Sequence, residues 1–278
     1  MGTIKHLSAD WERWIVLNID RNVPAAVLVE EMVKKNFELA FAMLAVAQRM
    51  PAAAASSSVH PKQSAPHSWG NRIAIAGHTV EVVTRVNAPQ VVVLDRVMTD
   101  AECDELIAAS QPKLKPSTTV DGATGAEKVI AARSSEGAFF LRGENSLVMR
   151  IEERLAAITG VPVEHGEGLQ ILHYGVGGEY QPHFDFFAPE EAGSALHLQR
   201  GGQRVSTLIM YLNDVAGGGE TIFPDIELEV APRKGGGVFF SYCDEHGNLD
   251  RRTLHGGAPV TGGEKWIATH WLRQAEYR

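Results

Sequence analysis

From residue 165 onward the chain consists of short β-branched and aromatic runs separated by glycine, and this pattern restricts the possible folds more than any other feature. Apparent strands fall at 167–174, 180–187, 204–213, 220–223, 227–231, 237–243, 251–255 and 264–272. Short strands in such a series, with glycine-rich turns, suit a closed or double-sheet β architecture such as a jelly roll. Two further runs, Thr79 to Val86 and Gln90 to Val97, precede it, split by Asn87-Ala-Pro89. Two helices are expected before the series, packed on one outer face. The first opens at Thr99, where Glu102 completes a capping box, and stops at Pro112. The second runs from about Asn145 to Thr159, with Leu147, Ile151, Leu155 and Ile158 on one side and Gly160 and Pro162 at its end.

The first fifty residues have a different period. Ser8 can cap a helix carrying Trp11, Trp14 and Ile15, and Pro24 interrupts it. The next run places Val27, Leu28, Val33, Phe37, Phe41 and Leu44 on an amphipathic helix, or on a helical hairpin broken near Asn36. Alanine, serine and proline then mark a linker at 51–70. The organisation expected is therefore a helical region at 1–50, the linker, and a domain at 71–278.

Composition limits the partners. With 44% apolar and 22% charged residues the chain can build a core, and a net charge of −8 argues against an overall nucleic-acid footprint. No apolar stretch is long enough for a bilayer and no secretory leader is visible, so a soluble cytoplasmic protein is the expectation. Cys103 and Cys243 read as two ordinary thiols, since two distant cysteines make no disulfide framework.

The chemistry concentrates in Tyr180-Gln-Pro-His183-Phe-Asp185. On a strand, positions i and i+2 share a side, so His183 and Asp185 project together. They form two thirds of a 2-His-1-carboxylate triad, which occupies one face of octahedral iron and leaves positions open. A third ligand has to come from elsewhere, and His255, in a later strand, is well placed. His-x-Asp alone is weak evidence, because a solvated pair is commoner than a site. Ten residues after His255, Lys265 opens a strand in which it shares a face with Ile267, Thr269 and Trp271. Burying that lysine requires an anion, and a dicarboxylate would supply one. A lysine that simply reaches solvent from the strand end is the plain alternative. The glycine clusters at 217–219 and 235–237 lack a P-loop ending and read as hairpin turns.

Three segments, LQILHYGVGGEYQPHFDFF at 169–187, QRVSTLIMYLNDVAGGGETIFP at 203–224 and TLHGGAPVTGGEKWIATHWL at 253–272, closely resemble the catalytic domain of prolyl 4-hydroxylases. The stretch 91–169 resembles the entry to that domain, so the likeness spans about 85–274. It implies a double-stranded β-helix core of the jelly-roll or cupin-like kind. The implied activity is that of an Fe(II)- and 2-oxoglutarate-dependent dioxygenase using O2, with ascorbate as reductant. By resemblance, His183, Asp185 and His255 hold the iron, and Lys265 pairs with the distal carboxylate of 2-oxoglutarate. Tyr174 and Thr221 donate to that same carboxylate, and Tyr180, Arg204 and Trp271 line the substrate groove. The expected substrate is a proline-containing peptide or protein.

Alternatives stay open at this level. The substrate could be a free amino acid or small metabolite, the fold a non-catalytic binding module, or the triad a zinc site in a hydrolase. The helices at 1–50 could mediate homodimerisation, recruit a protein substrate, or only pack. His173 is expected to point away from Tyr174. His270, where the family often has lysine, is expected outside the barrel. The segments 188–202 and 118–128 read as mobile flaps or solvated loops.

Overall fold

The computed structural model describes residues 4–20, 23, 25–49, 69–75, 77–120, 127–128, 133–191, 193–243 and 248–278. The chain divides into two compact units, Met1–His60 and Pro61–Arg278. Apart from 69 and 70, the expected linker at 51–70 lies outside the described residues.

The first unit holds α1 (Ala9–Asp20), α2 (Ala25–Lys34) and α3 (Leu39–Ala47). Ile15, Leu28, Met32, Ala42 and Val46 form its small core. Trp11 meets Trp14 and Phe37 edge-on, each with ring centroids 5.0 Å apart. The helical hairpin does break at Asn36, which adopts a left-handed φ of 68° that asparagine tolerates better than most residues.

The second unit begins with β1 (Arg72–Ile75), β2 (His78–Asn87) and β3 (Gln90–Asp95). It continues with α4 (Asp100–Ser110), β4 (Glu136–Phe140) and α5 (Ser146–Thr159). The remaining elements are β5 (Leu169–Tyr174), β6 (Tyr180–His183), α6 (Ser194–Leu198), β7 (Arg204–Tyr211), β8 (Thr221–Phe223), β9 (Leu228–Val230), β10 (Gly237–Ser241), β11 (His255–Gly257) and β12 (Lys265–Arg273). A large antiparallel sheet runs in the order β1-β2-β3-β10-β7-β12-β5-β4, and a smaller one runs β9-β8-β11-β6. Leu172, Tyr211 and Phe240 of the large sheet share one apolar cluster with Phe223 and Val230 of the small sheet, so the two pack face to face. Phe223 meets Phe240 edge-on at 5.2 Å. This is the jelly-roll arrangement.

Strand alternation divides the work of the large sheet. On β12, Trp266, Ala268 and Leu272 pack into the outer core with Leu106 of α4 and Ile151, Leu155 and Ile158 of α5. Lys265, Ile267, Thr269 and Trp271 face inward and line the groove. His270 lies outside the barrel, as alternation requires, yet it is buried, and burial pushes its imidazole down to about 4. His173 also points away from the groove, stacked on Trp266 at 4.3 Å.

Most of the expected strands are shorter than their sequence runs, and for two of them the cause is visible. The run 180–187 ends at His183 because both backbone groups of Phe187 bond to the Gln203 side-chain amide, at 2.8 and 2.7 Å, in place of a strand. The run 251–255 is instead a 3-10 turn at Arg251–Thr253 followed by β11, since the Asp250 carboxylate accepts from Arg252 N at 3.0 Å. The run 237–243 ends at Ser241. The segment 188–202 contains α6 and is anchored, because Arg273 donates to the carbonyls of His197 and Arg200. Of the segment 118–128, residues 121–126 lie outside the described residues.

The α4 capping box is present: Glu102 N donates to Thr99 Oγ1 at 3.2 Å, and Thr99 N donates to Glu102 Oε2 at 2.9 Å. Arg154 of α5 grips the same carboxylate with two bonds of 2.7 and 2.8 Å. Burial pushes this carboxyl upward, but Arg154 and the Thr99 backbone outweigh it and bring it down to about 2. Glu102→Gln should cost about 3 kcal/mol in urea denaturation at pH 7, at the lower end of what breaking a buried ion pair costs. Because the folded value is depressed, the wild-type advantage should persist above pH 4.5 and fade as pH falls toward 2.

Candidate active site

His183 and His255 face each other across β6 and β11, in the antiparallel register His255↔His183. Gly256 allows this closeness, since a Cβ there would stand 2.7 Å from Tyr180 O. The imidazoles are 4.4 Å apart between centroids. His183 Nδ1 lies 3.0 Å from Gln181 O, and His255 Nδ1 lies 3.0 Å from Thr253 O. A carbonyl can only accept, so each Nδ1 carries the proton and each Nε2 presents a lone pair. Asp185 sits opposite, with Oδ1 3.5 Å from His183 Nε2 and Oδ2 3.5 Å from His255 Nε2. The ligand atoms of all three residues lie within 4.8 Å of one another.

Burial and the neighbouring His255 push His183 down, toward the neutral imidazole. Burial alone would raise Asp185, but the two imidazoles outweigh it and keep the carboxyl well below its ordinary range. A neutral imidazole and an ionised carboxylate are what a metal ion requires. Two nitrogens and one oxygen converging from one side, with space beyond them, match a facial triad for non-haem iron. The donor set fits.

Lys265 lies deeper in the barrel, on the same inward face of β12 as Thr269 and Trp271. It is 3% exposed, and no carboxylate lies within ion-pair distance of it among the described residues. Burial pushes its ammonium down to about 8, against a weaker upward pull from Glu220. Around it stand Tyr174, its register partner across β5, and Gly257, where a Cβ would come within 3.4 Å of Lys265 Nζ. Tyr174 and Thr221 are both buried and line the same groove. Tyr211 donates to Thr221 Oγ1 at 2.8 Å, so the threonine keeps its own hydrogen for another acceptor. Lys265 Nζ lies 5.5 Å from the centre of the Tyr174 ring, and a buried cation in a groove that also carries hydroxyls suits a carboxylate.

The groove holding these groups has a volume of about 730 Å3. Tyr180 stacks on His183 at 3.7 Å, with the Arg133 guanidinium 4.7 Å from the Tyr180 ring centre. Trp271 lies under Arg204 at 3.9 Å. Arg204 donates to both oxygens of Glu167, at 2.7 and 2.8 Å, and to Asp185 O at 3.2 Å. Arg273 shares Glu167 at 3.1 Å. Burial opposes ionisation of Glu167, but Arg204 overrides it and lowers the carboxyl. All nine residues singled out from the sequence therefore line one groove. Arg133, Glu167, Thr207, Tyr211, Tyr242 and Arg273 were missed. Of these, Thr207 and Tyr211 were open to detection, because alternation on β7 puts them on one face with Ile209.

Residues 169–273 match the family model described as the 2OG-Fe(II) oxygenase superfamily. The chain is 39% identical over 209 residues to Prolyl 4-hydroxylase 5 of Arabidopsis thaliana, covering 68% of this chain and 70% of the plant protein. It is 40% identical over 202 residues to Prolyl 4-hydroxylase 1 of the same plant, covering 67% and 70%. Among solved structures, the viral collagen prolyl hydroxylase of Paramecium Bursaria Chlorella virus-1, in its 2OG complex, superposes with a TM-score of 0.52 at 30% identity. That match covers 66% of this chain and 95% of the viral one. Identity at this level, over more than two thirds of each plant relative, places the chain in the prolyl 4-hydroxylase family of Fe(II)- and 2-oxoglutarate-dependent dioxygenases.

Proposed function

We propose that residues 71–278 form an oxygenase domain that hydroxylates proline within a peptide or protein, with His183, Asp185 and His255 holding the iron. Lys265, Tyr174 and Thr221 hold the distal carboxylate of 2-oxoglutarate, and Tyr180, Arg204 and Trp271 line the path of the substrate. When bound, iron supplies the oxidation: one atom of O2 enters a substrate C–H bond, and the other leaves in succinate as the co-substrate loses CO2. Ascorbate serves as the usual reductant of this family. The chain's own residues orient and exclude. Lys265 fixes one end of the diacid, so that its keto-acid end faces the triad. Phe223, Phe240 and Ile267 keep bulk water from the buried side.

The observation that carries this reading is Lys265, a buried cation with no ion-pair partner among the described residues. A zinc hydrolase would have no use for it, and a binding scaffold would be more stable without it. A peptide is favoured over a small metabolite by the groove, whose lining runs from Thr118 and Phe139 to Ser194 and Tyr277. About 730 Å3 is also more room than a five-carbon diacid fills. The test is succinate formation from 2-oxoglutarate in air with Fe(II) and ascorbate. Succinate should rise with a proline-rich peptide and not with free proline, and Asp185→Ala should abolish it. Turnover with free proline and none with any peptide would overturn the peptide assignment.

Lys265 also gives a paired stability and binding signature. In the unfolded chain it holds its proton to about 10.5, while the folded lysine releases it near 8. Between these values the unfolded state binds more protons, so metal-free stability should rise with pH there, by on the order of 3 kcal/mol in total. Lys265→Met should remove this rise and stabilise the metal-free protein at pH 7, while weakening 2-oxoglutarate binding about 30-fold or more. Wild-type affinity for 2-oxoglutarate should fall as pH increases above 8, and that of Lys265→Arg should not. Calorimetric titration across pH, beside urea denaturation, checks both halves.

A further inference from the structure

Asp185 differs from the two histidines in how it is held. His183 and His255 sit in a strand ladder, in mutual register. The ladder of β6 ends at His183, and Asp185 lies in the bend beyond it. Among the described residues no strand pairing fixes Asp185, so its position depends on what its own atoms touch. Two contacts come from β7, across the barrel. Arg204 Nη1 donates to the Asp185 carbonyl at 3.2 Å, and Thr207 Oγ1 donates to Asp185 Oδ2 at 2.7 Å.

The direction of the second contact follows from counting hydrogens. An ionised carboxylate only accepts, so the Thr207 hydroxyl must donate to it. Its single hydrogen is then committed, yet Tyr242 Oη stands 3.4 Å from the same Oγ1. That longer contact can only run from the tyrosine hydroxyl to the threonine oxygen. The result is a one-way chain, Tyr242 to Thr207 to Asp185, and Thr207 and Tyr242 are wholly buried. Such chains polarise in sequence, and water has no access to replace a missing member. Oδ2 accepts from Thr207 and also lies 3.5 Å from His255 Nε2, while Oδ1 lies 3.5 Å from His183 Nε2 and takes no bond from Thr207.

We propose that Thr207, supported by Tyr242, is a positioning residue for the metal centre. Its hydroxyl fixes the Asp185 carboxylate in one orientation and occupies one of its oxygens, so that the other faces the metal. Its main effect is therefore on metal retention, not on substrate binding. The neighbouring histidines need no equivalent, because the backbone carbonyls of Gln181 and Thr253 already orient them.

The test uses the full chain and reads metal binding directly, so it does not depend on which substrate is turned over. Anaerobic titration with Fe(II), and with Co(II) as a spectroscopic probe, would be run on wild type, Thr207→Val, Thr207→Ser and Tyr242→Phe. Thr207→Val keeps the shape and removes the hydroxyl; it should bind Fe(II) about 10-fold or more weakly, the usual effect of losing a hydrogen bond to a ligand. Its Co(II) absorption spectrum should also change. Thr207→Ser restores the hydroxyl and should restore both affinity and spectrum. Tyr242→Phe should weaken binding in the same direction by less. Wild-type metal affinity and spectrum in Thr207→Val would overturn the proposal. So would equal losses in Thr207→Ser and Thr207→Val, which would mean that packing alone is at stake. If Thr207→Val does not fold, an unchanged Fe(II) affinity in Tyr242→Phe overturns it independently.

Discussion

The backbone approach between β6 and β11 is the constraint on which the site rests. Two histidines 72 positions apart in sequence become neighbours because His255 pairs with His183, and this pairing needs Gly256 where a side chain would meet Tyr180 O at 2.7 Å. A strand pair is stiff at this scale, so the imidazoles are set before any metal arrives. Their Nδ1–H groups are bonded to carbonyls two residues upstream in each case, so the tautomer is fixed by the same local backbone. What the ladder does not reach is Asp185, and there side chains of β7 take over.

Charge in the groove is handled in two ways. Glu167 lies between Arg204 and Arg273 with contacts of 2.7 to 3.1 Å, so its burial is compensated within the protein. Lys265 is buried to a similar degree with no such ion-pair partner among the described residues, and its depressed ammonium records the cost. A protein selected only for stability would carry a methionine or leucine there, because replacing an unpaired buried charge by an apolar group is favourable. The contrast separates structural charge from functional charge without any reference to family. Arg204 belongs to both groups, since it neutralises Glu167 and also holds the Asp185 carbonyl beside the groove.

Much of this was legible in the sequence, for identifiable reasons. Period-2 alternation placed Lys265, Thr269 and Trp271 inward and Trp266 and His270 outward, and the capping signals at Thr99 and Gly160 marked true helix ends. The triad itself was only partly legible. His-x-Asp on a strand suggested a shared face, yet Asp185 lies past the strand end, and tertiary contacts bring it to the right place for a different reason. The strand was overextended to 187 because Phe184, Phe186 and Phe187 look like strand residues, while the Gln203 amide that ends the pairing is 16 positions away. Arg133, Glu167 and Arg273 could not be found from local pattern, since a charged residue declares itself structural or functional only through partners distant in sequence.

The division of labour on β12 explains why so polar a site survives in so small a barrel. One face of this strand contributes Trp266, Ala268 and Leu272 to a core shared with two helices, while the opposite face carries Lys265 and Thr269. The helix-side core therefore stabilises the strand whatever the inner face costs. β7 is built alike, with Leu208 and Met210 outward and Thr207, Ile209 and Tyr211 inward. Because the two strands pair along seven register positions, the outer core holds Thr207 and Lys265 in a common frame. A hydroxyl that must meet a carboxylate at 2.7 Å needs such a frame, since a shift of one register position on either strand would turn each inward group out toward the helices.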